Sequence, residues 1–440
     1  MKKTLICLLV TIFAFSLLSV GMSYGQAKPV ELVVWWWGEQ DEPGIKEWMG
    51  ETADLYHKQN PNIMIDTVLQ STEHLIPSFK IAAQSKSGPD IEFFWAAIDS
   101  MLPVFDGNVA PLSDYWTEDE LGKHAYPVEV TYQGKIWTAS FYNTIAPFAY
   151  NKNIFQKSGL DPNTPPKTWV DFLEACKKIK EAGFIPLAFG NKSSTVNHIQ
   201  WLMGPLGEQN CDSIYDYMQP YAGDADYKDK KYSEWWYKLE ELVKKGYIND
   251  DVNSIELWTA VGQYFSTGEA AMTVAAGGTL RKCDELLNNN VELMMTPIFG
   301  TGKLAGKANV WRKNWGITAW SEHKQEAADF IKFMNSTERA NAFYETCGAF
   351  PGSLNFDPSI IDDPMDKRLY EILQKSFDGA TVSYVPRYVF LEGDWVVSQK
   401  IFSGKSAEET VPVEANVIAK WKKDEPEEVK QFQDWAEGMK

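Results

Sequence analysis

The chain has 440 residues, with 60 acidic side chains against 42 basic ones and a net charge of −18. So acidic a surface disfavours nucleic acid and anionic membranes as partners, since both are polyanions. A hydrophobic content of 44% is enough to bury a large core, most readily in two lobes.

The first stretch, MKKTLICLLVTIFAFSLLSVGMSYG, has a basic start, an apolar run from Leu5 to Val20, and small residues Ser23 and Gly25 at the spacing of a signal-peptidase site. Residues 1–25 are therefore expected to be a signal peptide, removed to leave a protein free in the periplasm or another extracytoplasmic space. A membrane anchor needs about 20 apolar residues and a stop-transfer flank. Here Ser16 and Ser19 interrupt the run and a polar chain follows. Cys7 lies inside the apolar run, unlike the lipid-carrying cysteine of a lipoprotein.

From there strand and helix patterns alternate. VELVVWWW reads as a strand, GIKEWMGETADLYHKQ as a helix stopped by Asn60-Pro61, and NIMIDTVL as a second strand. Further strands are expected at DIEFFW and KIWTASF, giving an α/β class with a mostly parallel sheet. Ligands of such open sheets bind at the carboxyl ends of the strands. That places Trp36, Trp37, Gly38 and Glu39 after the first strand and Trp95 to Asp99 after a later one. In PPKTWVDFLEACKKIKEAG, Thr168 is placed to cap a helix and Gly183 to end it, before a strand at IPLAFG. After Tyr384 the pattern is helical again, with Trp395, Val396, Ile401 and Phe402 ahead of Gly404. Cys176, Cys211, Cys283 and Cys347 fit neither C-x-x-C redox chemistry nor a zinc site, and are expected as buried thiols or structural bridges.

The blocks SGPDIEFFW, YQGKIWTASFYNTIAPFAYNKNIFQKSGLDPNTPPKTWVDFLEACKKIKEAGFIPLAFG, FSTGEAAMTV, KQEAADFIKFMNSTERANAFYETCGAFPGS and IFSGKSAEETV occur in an order and spacing that resembles the solute-binding proteins of carbohydrate ABC transporters, the group containing maltose-binding protein. The resemblance covers nearly the whole chain after the signal peptide. It implies a type II periplasmic-binding-protein fold, in which two α/β lobes joined by crossing strands trap sugar by hinge closure. Carried over by motif, the crossings are KIWTASF and LMMTPIF. The N-terminal lobe is then 27–140 with 298–347, and the C-terminal lobe 141–297 with 348–440.

A sugar ring offers a face of C–H groups for an aromatic platform and a rim of hydroxyls for polar side chains. The chain holds eighteen tryptophans. Alternation sends Trp36 to one side of its strand and Trp35 and Trp37 to the other. Glu39 and Gln40 match positions where the resemblance implies ligands for sugar hydroxyls, and Trp95 and Asp99 match a further such pair. Tyr142 and Asn143 lie just past the first expected crossing, where the cleft floor should be. Trp201 and Trp258 sit on helical patterns, where core packing is the competing role. Where the family often has Gly-x-Trp, this chain has Gly277, Gly278 and Thr279, so backbone at Gly278 can approach a ligand closely. In NVWRKNWGITAW, Trp311 and Trp315 are expected in a loop leading to a strand, and Arg387 in a segment that closes over the sugar.

There is no Gly-x-Ser-x-Gly elbow and no His-Glu-x-x-His, and the five histidines are scattered. Gly302 to Gly306 is one residue short of P-loop spacing, and Ala308 takes the Ser/Thr place. The expectation is a non-enzymatic substrate-binding subunit of an ABC importer, monomeric, without catalytic residue, metal or cofactor, that passes a mono- or oligosaccharide to the permease in the inner membrane. A secreted glycoside hydrolase or polysaccharide lyase, and a sugar receptor for chemosensing, are the alternatives.

Overall fold

The structure, a computed structural model, describes residues 29–440 apart from residue 125. The expected signal peptide, 1–25, lies outside the described residues. Strand β1 (Val30–Trp36) buries Leu32, Val34 and Trp36 at alternate positions, the period of a strand covered unequally on its two faces. Helix α1 (Ile45–Gln59) buries Trp48, Met49 and Tyr56. The chain returns as β2 (Ile63–Leu69), parallel to β1 with Val30 beside Ile63 and Trp36 beside Leu69. Helix α2 (Thr72–Ser85) then leads to β3 (Ile91–Phe94), parallel to β1 on its other side. Helix α3 (Ile98–Phe105) and strand β4 (Val109–Ala110) follow.

A small hairpin joins β5 (Thr131–Tyr132) to β6 (Lys135–Ile136) through Gln133 and Gly134, both at positive φ (51° and 74°), as a two-residue hairpin turn requires. Strand β7 (Thr138–Ala146) is buried along its whole length. The next strand, β8 (Phe148–Asn151), belongs to a second sheet. That lobe continues with α4 (Trp169–Glu181), which Thr168 caps by accepting from the Asp171 N–H, and β9 (Ile185–Leu187). Helix α5 (Ile199–Gly207), β10 (Ala270–Val274), α6 (Gly277–Leu286) and β11 (Val291–Met294) come next. Strands β12 (Asn309–Thr318) and β13 (Phe350–Pro351) rejoin the first sheet.

The first sheet has seven strands in the order β13-β7-β12-β3-β1-β2, with β4 beside β12, and the second has four in the order β11-β8-β10-β9. β12 runs antiparallel to β3, β4 and β7, so the first sheet is mixed rather than mostly parallel. One hydrophobic cluster gathers Trp48, Phe93, Phe141, Trp315 and Phe343 on the first lobe, and a larger one reaches from Phe94 through Phe148 and Trp236 to Trp435. Cys176, Cys211, Cys283 and Cys347 are buried free thiols. Among the described residues no helix is long and apolar enough to cross a membrane.

The first change of sheet falls later than the crossing expected from KIWTASF, while the second overlaps LMMTPIF. KIWTASF divides between the β5–β6 hairpin and β7, which stays in the first sheet as far as Ala146, opposite Asn309. Pro147 then breaks the ladder, because it has no N–H to donate. The return passes through 295–308, between β11 and β12. β13, beyond residue 347, still pairs with β7 through Phe350 and Asn143. The last helix, Pro426–Glu437, also reaches back, with Trp435 Nε1 donating to the Glu129 carbonyl at 2.9 Å.

Candidate functional site

Because β1 and β3 are parallel, both end at the same edge of the sheet, and the chain leaves them through Trp37 and Trp95. The two indoles meet edge to face, with centroids 5.6 Å apart and planes at 82°. Trp37 Nε1 donates to Thr72 Oγ1 at 2.9 Å, and Gln40 donates to the same hydroxyl. This fixes the indole against the start of α2. Gly38, at φ 132°, makes the turn between them; a Cβ there would stand 2.6 Å from the Tyr142 hydroxyl.

These groups form one wall of a cavity of about 830 Å³, within the usual size of small-molecule sites. The facing wall comes from the second lobe: Trp201 on α5, Trp258 on the helical turn Leu257–Ala260, and Gly278 and Lys282 on α6. Trp201 lies 5.3 Å from Trp258, edge to face, and 6.3 Å from Trp311 of β12. Trp258 keeps 39% of its surface exposed. Five indoles therefore line one space, contributed by both sheets' surroundings.

Charge is concentrated at the floor and one flank. Asp41 accepts from Lys313 Nζ at 2.8 Å, from Thr144 Oγ1 at 2.9 Å and from the Tyr142 hydroxyl at 3.3 Å. Beside it, Glu42 of the first lobe faces Arg281 of α6 at 3.4 Å, and Arg281 also pairs with Asp366 at 2.8 Å. Burial and the neighbouring Asp41 push the Glu42 carboxyl up to about 8, against the opposing pull of Arg281 and Lys313. On the flank, Asp99 receives Arg387 Nη1 at 3.4 Å and Ser383 Oγ at 3.2 Å. Burial raises the Asp99 carboxyl above its ordinary value, and Arg387 offsets part of that rise. Among the described residues no group of three or more His, Cys, Asp or Glu side chains could hold a metal ion.

The residues nominated from sequence divide accordingly. Trp37, Gln40, Trp95 and Asp99 on the first lobe, Trp201, Trp258 and Gly278 on the second, and Trp311 and Arg387 between them all line the cavity. Five others stand elsewhere. Trp36 ends β1 with its side chain in the core, and Trp315 is fully buried against Phe141 at 4.3 Å. Both Trp311 and Trp315 lie within β12 rather than in a loop before it. Glu39 accepts from the Gly44 and Lys46 N–H groups at 3.2 and 2.6 Å, so it caps α1. Tyr142 is buried and touches the site only through Asp41, and Asn143 donates to the Pro351 carbonyl at 3.2 Å, tying β7 to β13. Gly278 gives close approach to Glu42, whose Oε2 lies 2.6 Å from where its Cβ would stand.

Sequence reasoning missed Asp41, Thr72, Asn197 and Lys282, which also line the cavity. Asp41 closes the motif WWWGEQD, and Asn197 ends the polar run NKSSTVN just before Trp201. Each of those two is the polar neighbour of an aromatic already noted, and that adjacency was the available signal.

The sequence model of the bacterial extracellular solute-binding protein family matches residues 51–365, and the chain belongs to that family. It is 26% identical over 373 residues to an ABC transporter extracellular-binding protein of Pyrococcus horikoshii, covering 80% of this chain and 76% of that one. To the sn-glycerol-3-phosphate-binding periplasmic protein UgpB of Brucella abortus it is 25% identical over 343 residues, 73% of this chain and 75% of that one. A chitin oligosaccharide binding protein shares the fold with a TM-score of 0.76 at 19% identity, over 90% of this chain and 99% of that one. The family and these relatives are described as binding proteins, and the two-lobed periplasmic-binding-protein fold is common to the structural neighbours.

Proposed function

We propose that this chain is the periplasmic substrate-binding subunit of an ABC importer, and that its cavity captures an oligosaccharide and delivers it to the membrane permease. The observation that carries this reading is the set of five tryptophans around one cavity, Trp37 and Trp95 on one wall, Trp201 and Trp258 on the facing wall, and Trp311 of β12 between them. Indoles stack on the C–H faces of sugar rings, and platforms on both sides suit more than one ring. Asp41, Asp99, Gln40 and Asn197 supply acceptors and donors for ring hydroxyls.

Binding without bond cleavage fits the state of the carboxyls. Of the wall's three acids, Asp41 is held by Lys313 and Thr144 and Asp99 by Arg387 and Ser383, which leaves Glu73 alone and not the pair of free carboxyls that hydrolysis uses. The lobes, on this reading, divide where the sheets change, near residue 147 and within 295–308. Glu42–Arg281 and Asp99–Arg387 are contacts between them in the closed arrangement, and a ligand that binds this arrangement better shifts the protein toward it.

A thermal-shift screen of the mature protein against mono- and oligosaccharides, with recovery of each hit, tests the proposal. At a hundredfold excess over its Kd a ligand stabilises the folded state by about 2.7 kcal/mol. A shift with the sugar recovered intact supports the reading. A cleaved sugar would replace it with a hydrolase, and no shift with any carbohydrate would overturn it.

A further inference from the structure

We infer that the cavity selects an uncharged carbohydrate and rejects phosphorylated and carboxylated ones, an inference that rests on the carbohydrate reading above. The first ground is the state of the helix ends that open on the cavity. A helix start attracts anions through its unpaired N–H groups and its dipole, and α2, α3, α5 and α6 all begin in the cavity wall. Each has an acidic side chain or a side-chain acceptor in or beside its first turn. α2 carries Glu73 in its first turn. α3 carries Asp99 in its first turn, and the Ala97 N–H just ahead of it donates to Glu129 Oε1 at 2.7 Å. In α5 the Gln200 N–H donates to Asn197 Oδ1 at 3.0 Å. At α6, Glu42 is seated against Gly278, where a side chain on residue 278 would exclude it.

The second ground is the supply of cations. Among the described residues the wall holds Lys282 and Arg387 as its cations against Asp41, Glu73 and Asp99 as its acids. Arg387 is engaged by Asp99, and Lys282 is exposed at the rim. The two cations behind the wall are committed as well, Lys313 to Asp41 at 2.8 Å and Arg281 to Asp366 at 2.8 Å. Below the rim, out of reach of Lys282, a phosphate or carboxylate must either break one of these pairs or be buried without a counter-charge, and both are costly. A hydroxyl meets neither penalty, because the same carboxylates accept its proton in a hydrogen bond. The chain's charge of −18 adds a general repulsion of anions during approach.

Calorimetric titration of the mature protein with malto-, cello-, xylo- and chito-oligosaccharides, and with oligogalacturonates, glucose 6-phosphate and sn-glycerol 3-phosphate, tests the inference. The expected result is that at least one neutral oligomer binds and every anionic probe binds at least about 30-fold more weakly than it. Asp99→Asn, which releases Arg387, is expected to narrow that gap by threefold or more. A gap unchanged in Asp99→Asn, or an oligogalacturonate or glucose 6-phosphate inside the 30-fold margin beside a bound neutral sugar, would overturn charge selection and leave the carbohydrate reading standing. Binding of sn-glycerol 3-phosphate with no sugar, or no binding by any probe, would overturn both.

Discussion

Lys313 Nζ lies 2.8 Å from Asp41 Oδ2 beneath the cavity, and the lysine side chain is wholly buried. The pair belongs to the first lobe alone: Lys313 rides on β12, and Asp41 follows β1. The ammonium also lies 4.5 Å above the Tyr142 ring, and donates to Thr144 of β7. One buried cation thus orders a carboxylate that faces the ligand space, and it does so from the middle of the sheet.

Replacing Lys313 by Met should therefore cost about 3 to 5 kcal/mol of stability, because Asp41 is left buried without its counter-charge. Asp41→Asn in the same chain should recover part of the loss. Urea unfolding of the single and double variants measures both, and a single variant within about 1 kcal/mol of wild type would contradict the account.

Two tryptophans should separate binding from stability. Trp258, with 39% of its surface exposed at the cavity, contributes little to the core. Trp258→Ala should leave stability within about 1 kcal/mol and weaken sugar binding by about 1 to 2 kcal/mol. Trp315 is fully buried against Phe141 and Phe93. Trp315→Ala should cost about 3 to 5 kcal/mol of stability, while the protein that remains folded binds nearly as wild type. Thermal unfolding and titration of both variants decide between the two roles.

Glu42 gives the stability a pH dependence whose sign is fixed. In the unfolded chain its carboxyl loses the proton near 4.5, and in the fold burial and Asp41 hold the proton up to about 8. Between those values the native state binds more protons, so this contribution is fully present below about 4.5 and is lost as pH rises through about 8. Glu92, Glu208 and Asp394, also buried and raised, slope the same way. The difference between wild type and Glu42→Gln isolates the first of them. The stability curve of Glu42→Gln should fall less steeply from pH 6 to pH 8.5, and parallel curves would remove Glu42 as a source.

Gly278 should reveal its reason through a double mutant. Gly278→Ala puts a methyl 2.6 Å from Glu42 Oε2, an overpacking that costs about 1 to 3 kcal/mol. With Glu42→Ala alongside, the methyl has room, and alanine's better helix propensity should make the same change neutral or stabilising. Additive effects in the cycle would show that the two residues do not press on each other.

The α/β alternation was legible because its signals are local: the short apolar run VELVVWW, the proline after Asn60, the Thr168 cap. The first crossing was less so. β7 looks like the family's crossing from its motif, but whether a buried strand continues in one sheet depends on β12 and β13, which arrive more than 150 residues later. Trp37 and Trp95 of the cavity wall could be named because indoles past strand ends are conspicuous. Their partners could not be ranked, since Glu39 and Asp41 are equally polar in sequence and only the fold gives one to the cap of α1 and the other to Lys313. Trp311 and Trp315 show the same limit. They lie on one strand of common sequence character, and the neighbouring strands decide that one meets the cavity while the other meets Phe141.

The most direct test of the central claim is calorimetric titration of wild type and Trp258→Ala with one neutral sugar series, from monosaccharide to hexasaccharide. A cavity with indoles on facing walls predicts affinity that rises with chain length and then levels, with the loss in Trp258→Ala confined to the longer members. A monosaccharide that binds as tightly as its oligomers, or a loss in Trp258→Ala independent of length, would contradict the two-walled oligosaccharide site.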